Sequence, residues 1–253
     1  MTIQKIKTGM QKRIAFFVEG QTEQIFIARL VKEILGSQYT NITLKQYRGG
    51  TNAPKTEIVR SCIDSTKKAR YEVLISDCGA DNRVKSEIMD NMSNLKESNY
   101  SMLIGLRDLY PLPMSDYDKL KKGLNYLPNH LRAEQCHFEI VVAVRELETW
   151  FIAETNHFRK VDRRLTGRFI KERIGYNPEC IDVQTIKHPS LDLNAIYRLV
   201  GKNYNKRFWQ VSKLVNRLDY NNIRNNLRYK LAPLDQLISI LEGVKRYDCK
   251  TSQ

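Results

Sequence analysis

The sequence predicts an α/β protein with a mainly parallel sheet, helices on both of its faces, and a basic, mostly helical C-terminal extension. Three observations carry this prediction. Short apolar runs alternate with helical patterns from residue 14 to residue 144, the succession that builds a parallel sheet through crossover connections. The runs are continuous rather than alternating, as in strands buried on both sides. From about residue 155 the strand signals fade and helical spacing dominates. The reading is therefore a core over 1–154 and an extension over 155–253.

Ile14–Val18 is an apolar run bounded by Lys12-Arg13 and Gly20, which marks the first strand. Thr22 is placed to cap the helix that follows, with Glu23 in its first turn. Ile25, Phe26, Leu30, Val31, Ile34 and Leu35 repeat at helical spacing before Gly36 ends it. Ile42–Tyr47 forms a second strand, closed by Gly49-Gly50. Residues 56–70 carry Ile58, Val59, Cys62, Ile63 and Ala69 on one helical face, which predicts a helix there. Val73–Ile75 is a third strand ending at Ser76-Asp77, and a helix is expected over Val84–Lys96. Met102–Leu106 is a fourth strand ending at Arg107-Asp108. Phe138–Val144 is a fifth, leading straight into Arg145-Glu146-Leu147-Glu148. Helical patterns then appear at Ala195–Val200, Val211–Leu218 and Leu234–Val244.

Composition narrows the function classes. Of 253 residues, 42 are Lys or Arg and 28 Asp or Glu, a formal charge of +14. The excess is uneven: residues 1–154 hold 22 basic and 19 acidic side chains, a net +3, and residues 155–253 hold 20 and 9, a net +11. A basic surface of this kind attracts polyanions, and phosphate backbones are the commonest inside cells. DNA or RNA is thus the expected partner. No apolar run approaches the ~20 residues of a membrane span, and the basic N-terminus does not lead into a signal peptide, so a cytoplasmic protein with no membrane partner is expected. Cys62, Cys78, Cys136, Cys180 and Cys249 are scattered and form no C-x-x-C pair, the pattern of free thiols.

The acids gather at strand ends. Glu19 follows the first strand, Asp77 the third and Asp108 the fourth, while Glu146 and Glu148 follow the fifth. Ligands of open parallel sheets bind beyond the carboxyl ends of the strands, so five carboxylates are expected along one rim. Their repulsion is ordinarily offset by a hard divalent cation, Mg²⁺ or Mn²⁺. Taken singly, each acid also suits a helix cap or a loop. Glu146 and Glu148 share a face if the segment is extended and diverge if it is helical, which would leave one of them at the site.

The segment Phe17-Val18-Glu19-Gly20-Gln21-Thr22-Glu23 resembles the first motif of TOPRIM domains, which in topoisomerases, primases and OLD-type nucleases places a Glu after the first strand. The aspartate strand of those domains is matched by Leu103-Ile104-Gly105-Leu106-Arg107-Asp108, or by Leu74-Ile75-Ser76-Asp77. Val144-Arg145-Glu146-Leu147-Glu148-Thr149-Trp150-Phe151, Lys187-His188-Pro189-Ser190 and Tyr204-Asn205-Lys206 are similar to an uncharacterised bacterial TOPRIM-like family whose members are thought to act beside an ATPase in phage defence. The likeness runs from about 14 to 220. TOPRIM domains carry an Asp-x-Asp pair, whereas here Asp108 is followed by Leu109-Tyr110 and Asp77 by Cys78-Gly79. Either Glu146 or Glu148 replaces the second aspartate, or the site is degraded.

The resemblance implies a nuclease in which Glu19 is a ligand or general base, Asp108 a ligand, and Asp77 with Glu146 or Glu148 completes the shell; Glu19, Asp108 and Glu146 form the catalytic set. Arg107, Arg145 and Lys206 are candidates to face phosphoryl oxygens, though Arg107 and Arg145 each precede an acid and equally suit a neutralising role. Lys187, Tyr204, Lys206 and Arg207 are further nucleic-acid contacts. In Tyr204-Asn205-Lys206-Arg207-Phe208-Trp209 the aromatics either stack on unpaired bases or belong to the core. His188 is a candidate base or a loop contact. No G-x-x-x-x-G-K-[ST] run is present, so nucleotide hydrolysis would fall to a partner ATPase. The competing reading is a non-catalytic nucleic-acid-binding or adaptor subunit with a degraded metal site.

Overall fold

A computed structural model describes residues 11–49, 56–60, 69–80, 82–129 and 136–250. Its strands are β1 (Lys12–Val18), β2 (Thr40–Arg48), β3 (Thr56–Arg60), β4 (Tyr71–Asp77), β5 (Tyr100–Asp108) and β6 (His137–Ala143). They form one sheet in the order β3-β2-β4-β1-β5-β6. Neighbours pair in parallel except β2 and β3, which are antiparallel. The helices are α1 (Gln21–Val31), α2 (Arg83–Glu97), α3 (Tyr117–Asn125), α4 (Glu148–Ala153), α5 (Asn156–Val161), α6 (Gly167–Ile174), α7 (Pro189–Arg198), α8 (Phe208–Val215), α9 (Tyr220–Asn225) and α10 (Ala232–Lys250). The α/β class with a mostly parallel sheet is thus established.

Alternation along the strands divides the core into two layers. Ile14, Phe16 and Val18 of β1 face α1 and the helices from α4 onward, whereas Ala15 and Phe17 face α2 and α3. Helices cover both faces, as expected. The apolar side chains of α4 to α10 join the same cluster as β1, β5 and β6, so residues before and after position 154 share one core. Gly105 marks a tight spot in β5: a Cβ there would lie 2.7 Å from Ile140 Cγ1, which explains a glycine within a strand.

Two local expectations are corrected. Residues 56–60 do not open a helix but form the edge strand β3, paired with β2 from Leu44↔Arg60 to Arg48↔Thr56. Ile58 and Val59 are 43% and 52% exposed, so no core face favours a helix there, and β-branched residues suit the strand. Residues 61–68 of the same expectation lie outside the described residues. Thr22 does not cap α1; Gly20 occupies the N-cap position, without a side-chain bond. The end of α1 is as expected: a π-helical turn, Lys32–Gly36, carries it to Gly36, whose φ of 93° suits glycine.

Cys78, Cys136 and Cys180 are free; Cys62 and Cys249 lie outside the described side chains. Among the described residues no helix is long and apolar enough to cross a membrane.

The strand order places the crevice. From β1 the chain crosses one face through α1 towards β2, and from β5 it crosses the other face through α3 to β6. Adjacent strands β1 and β5 therefore send their connections apart, which opens a cleft beyond their carboxyl ends. Glu19 and Asp108 stand at that edge.

Candidate functional site

Glu19 and Asp108 meet directly. The backbone N–H of Asp108 donates to Glu19 Oε1 at 2.6 Å, linking the ends of β1 and β5. The Asp108 side chain is buried, and its Oδ1 has no hydrogen-bond partner. Burial, then the charges of Glu19, Glu23 and Glu148, push its carboxyl well above the usual range.

Glu23 is the member that sequence reading assigned only to a helix turn. It lies one turn into α1 yet is 5% exposed. Burial, and next the charge of Glu148, raise its carboxyl to about 7. The signal for it was present in the Glu-Gly-x-x-Glu spacing, because an acid four residues after Glu19 returns to the same sheet edge once α1 starts immediately.

Both acids after β6 reach the site. Helix α4 begins at Glu148, so Glu146 stays on the preceding loop and the expected divergence does not arise. Glu146 accepts from Ser190 N–H at 3.0 Å and from Ser190 Oγ at 3.1 Å. Glu148 is fully buried; its Oε1 accepts the Tyr204 hydroxyl at 2.7 Å, and its Oε2 is left without a partner. Burial raises the Glu148 carboxyl despite the opposing pull of Lys206 and Tyr204. Tyr204, expected among the nucleic-acid contacts, is 2% exposed and serves to hold Glu148.

Lys206 Nζ lies 3.2 Å from Glu148 Oε1 and 3.4 Å from Glu146 Oε1. Its side chain is 42% exposed, with the ammonium turned inward. Burial works against that charge, but Glu148, Glu146, Asp108 and Glu23 hold it above its ordinary value. Lys206 also has a left-handed backbone, φ 57°, as does Arg145, φ 66°. These are sparsely populated conformations for side-chain-bearing residues, and such strain concentrates at functional sites.

The remaining candidates sit apart or on the rim. Asp77 accepts from Gln46 Nε2 at 2.8 Å and Gly79 N–H at 2.9 Å. Burial raises it, and the charge acting on it is that of Arg48 rather than those of the other acids. Asp108, not Asp77, is therefore the strand-end aspartate that interacts with Glu19. Arg107 and Arg145 make no ion pair among the described residues, and their Nε atoms are buried without a partner. Lys187 and Arg207 are exposed. His188 packs edge-on to Tyr110, ring centroids 6.2 Å apart.

Five carboxylates and one ammonium give −5 + 1 = −4 if all are ionised. Excess negative charge, hard oxygen donors and two orphaned buried oxygens suit a divalent cation such as Mg²⁺ or Mn²⁺. Among the described residues, however, no three His, Cys, Asp or Glu side chains stand grouped as a ligand set. Lys206 Nζ takes the place between Glu146 and Glu148. The donor chemistry fits an ion, and Lys206 bridges Glu146 and Glu148 in the present rotamers.

The profile of one family, described as a domain of unknown function (DUF4276), matches residues 18–229. No curated protein and no solved structure matches the chain.

Proposed function

The chain belongs to that DUF4276 family, a membership that names no activity, and we propose from the site itself that it is a divalent-metal-dependent nuclease of TOPRIM type acting on DNA or RNA. The observation that carries this reading is the gathering of Glu23, Asp108, Glu146 and Glu148 about the Lys206 ammonium, with Glu19 bonded to the Asp108 backbone, at the carboxyl edge of a parallel sheet. A buried structural network balances its charges; this one leaves more carboxyl groups than cations, and raises Glu23, Asp108 and Glu148 as a result.

Glu19, Asp108 and Glu148 are the residues that would hold the ion, which when bound supplies an activated water and a stabilised leaving oxygen. Holding it asks these side chains to re-pack, and Lys206 is the neighbour with an exposed stem. Ser190 and Tyr204 fix Glu146 and Glu148 in place. Glu23, with a carboxyl near neutrality, is suited to accept a proton from an attacking water. Among the described residues Arg107 and Arg145 make no ion pair, which leaves them to meet phosphoryl oxygens. An ATPase partner, carried by the TOPRIM-like resemblance, would supply any nucleotide hydrolysis.

One observation favours the second reading, a nucleic-acid-binding subunit without catalysis: Lys206 already bridges Glu146 and Glu148, and among the described residues no ligand triad is assembled. Incubation with plasmid, single-stranded DNA and transfer RNA in Mg²⁺ or Mn²⁺ separates the two. Cleavage lost in Asp108→Asn supports the nuclease. Titration calorimetry with no Mg²⁺ uptake, together with intact substrates, would leave the binding subunit.

A further inference from the structure

The loop that delivers Lys206 to the acids also presents aromatic rings to solvent. Tyr204 is buried and anchored twice, through its N–H to Asn194 Oδ1 at 3.0 Å and through its hydroxyl to Glu148. The N–H of Asn205 donates to Gln210 Oε1 at 2.8 Å, tying the loop to the first turn of α8. Phe208 and Trp209, the next residues, are 55% and 59% exposed. Helix α8 buries Val211, Leu214 and Val215 against the core, while Trp209 lies on the opposite side with the exposed Lys213 and Asn216. Core packing therefore does not account for these two rings.

Their surroundings define a ligand. Lys202, Arg207 and Lys213 are exposed around them, and the sequence holds no acid between 201 and 213. Trp209 is three residues from Lys206, so their Cα atoms lie within ~11 Å of each other. Adjacent exposed rings framed by cations match a surface that stacks unpaired bases while holding their phosphates. A duplex, whose bases are already stacked, offers such rings nothing beyond its backbone.

We propose that Phe208 and Trp209 form a stacking platform for single-stranded nucleic acid next to the loop that carries Lys206 to the carboxylate site. This rests on the proposed nuclease reading for its purpose, but not for its test. Stacking contributes ~1–3 kcal/mol per base, equivalent to roughly 5- to 150-fold in affinity.

The chain has two tryptophans, and the other, Trp150, is 3% exposed. Intrinsic fluorescence therefore reports on Trp209. The experiment titrates the full chain, in EDTA so that no cleavage intervenes, with twelve-nucleotide oligo(dT), oligo(U) and a duplex of equal length. Quenching of the parent by either single strand, together with an affinity, read for parent and variant alike from the anisotropy of dye-labelled strands, at least fivefold above that for the duplex and reduced at least fivefold in Phe208→Ala/Trp209→Ala, supports the platform, and the better strand identifies DNA or RNA. Tyr229→Ala, at a 76% exposed ring elsewhere, should bind as the parent does. Equal duplex affinity, absent quenching, or an unchanged double variant overturns it. Single-strand binding without cleavage in Mg²⁺ would sink the nuclease and keep the platform; cleavage with an unaffected double variant would do the reverse.

Discussion

Glu148 and Glu154 flank the same short helix, α4, and both are fully buried, yet their surroundings treat a negative charge in opposite ways. Glu154 Oε1 accepts from Asn156 N–H and Asn222 Nδ2, and Oε2 from His157 N–H and Asp219 N–H, all at 3.1–3.2 Å. Burial pushes its carboxyl up, but His157 and these donors outweigh that and hold it below its ordinary value. Glu148 has one hydroxyl and one shared ammonium, an orphaned oxygen, and further acids facing that ammonium. The difference separates two uses of a buried acid. Where donors saturate the carboxylate it staples helices together; where acids crowd one another, the fold bears a cost that a proton, the Lys206 ammonium or a bound cation offsets.

The largest effect should follow from breaking the crowded site. Glu23→Gln is expected to lower nucleic-acid cleavage by about 10²–10⁴-fold, the usual contribution of a general base, without lowering the melting temperature. A variant that cleaves normally would remove Glu23 from the chemistry. Glu154→Ala is the mirror experiment. It strips the acceptor from four buried or part-buried donors, and a loss of about 3 kcal/mol is expected, or ~6–12 °C in melting temperature for a chain of this size. Cleavage per folded molecule should be unchanged, and a selective loss of activity would mean that the two sites are not separate.

The contrast also explains what was legible in the sequence. Continuous apolar runs gave away the strands, because burial on both faces leaves a local trace. Edge strand β3 left none: Ile58 and Val59 fit a helical face as well as a strand, and hydrogen bonding to β2 decided the outcome. The rim acids could be placed at strand ends, but choosing Asp108 over Asp77 required the strand order, which puts β5 beside β1 on the side where the cleft opens. Glu23 read as a helix-turn acid because first-turn acids ordinarily face solvent. It interacts with Tyr204 and Lys206, some 180 residues later, and no local period encodes that meeting. Glu154 was passed over for a similar reason, since half of its donors come from Asp219 and Asn222.

A smaller effect sharpens the comparison from the ligand side. Mg²⁺ or Mn²⁺ at 100 times its dissociation constant should stabilise the parent chain by about 2.7 kcal/mol, seen as a raised melting temperature. Asp108→Asn should abolish this shift, whereas Glu154→Ala should show it in full on a lower baseline. A shift that survives in Asp108→Asn would place the ion elsewhere.

The smallest effect is in pH, and its sign differs between the two sites. In metal-free protein the Glu23 carboxyl is raised from 4.5 to about 7, so between these values the folded chain keeps a proton that the unfolded chain has released. Stability then falls as pH rises through that window. Glu154, held below its ordinary 4.5, contributes stability above that value and loses it as pH falls through its depressed one. Melting curves recorded in a chelator from pH 3 to 7.5 should show Glu23→Gln gaining on the parent by a few degrees towards the neutral end. Glu154→Ala should instead lose least, relative to the parent, at the most acidic pH tested. A Glu23→Gln difference that stays constant across the range would mean that Glu23 is ionised throughout, and that the negative charge of the site is already balanced without a ligand.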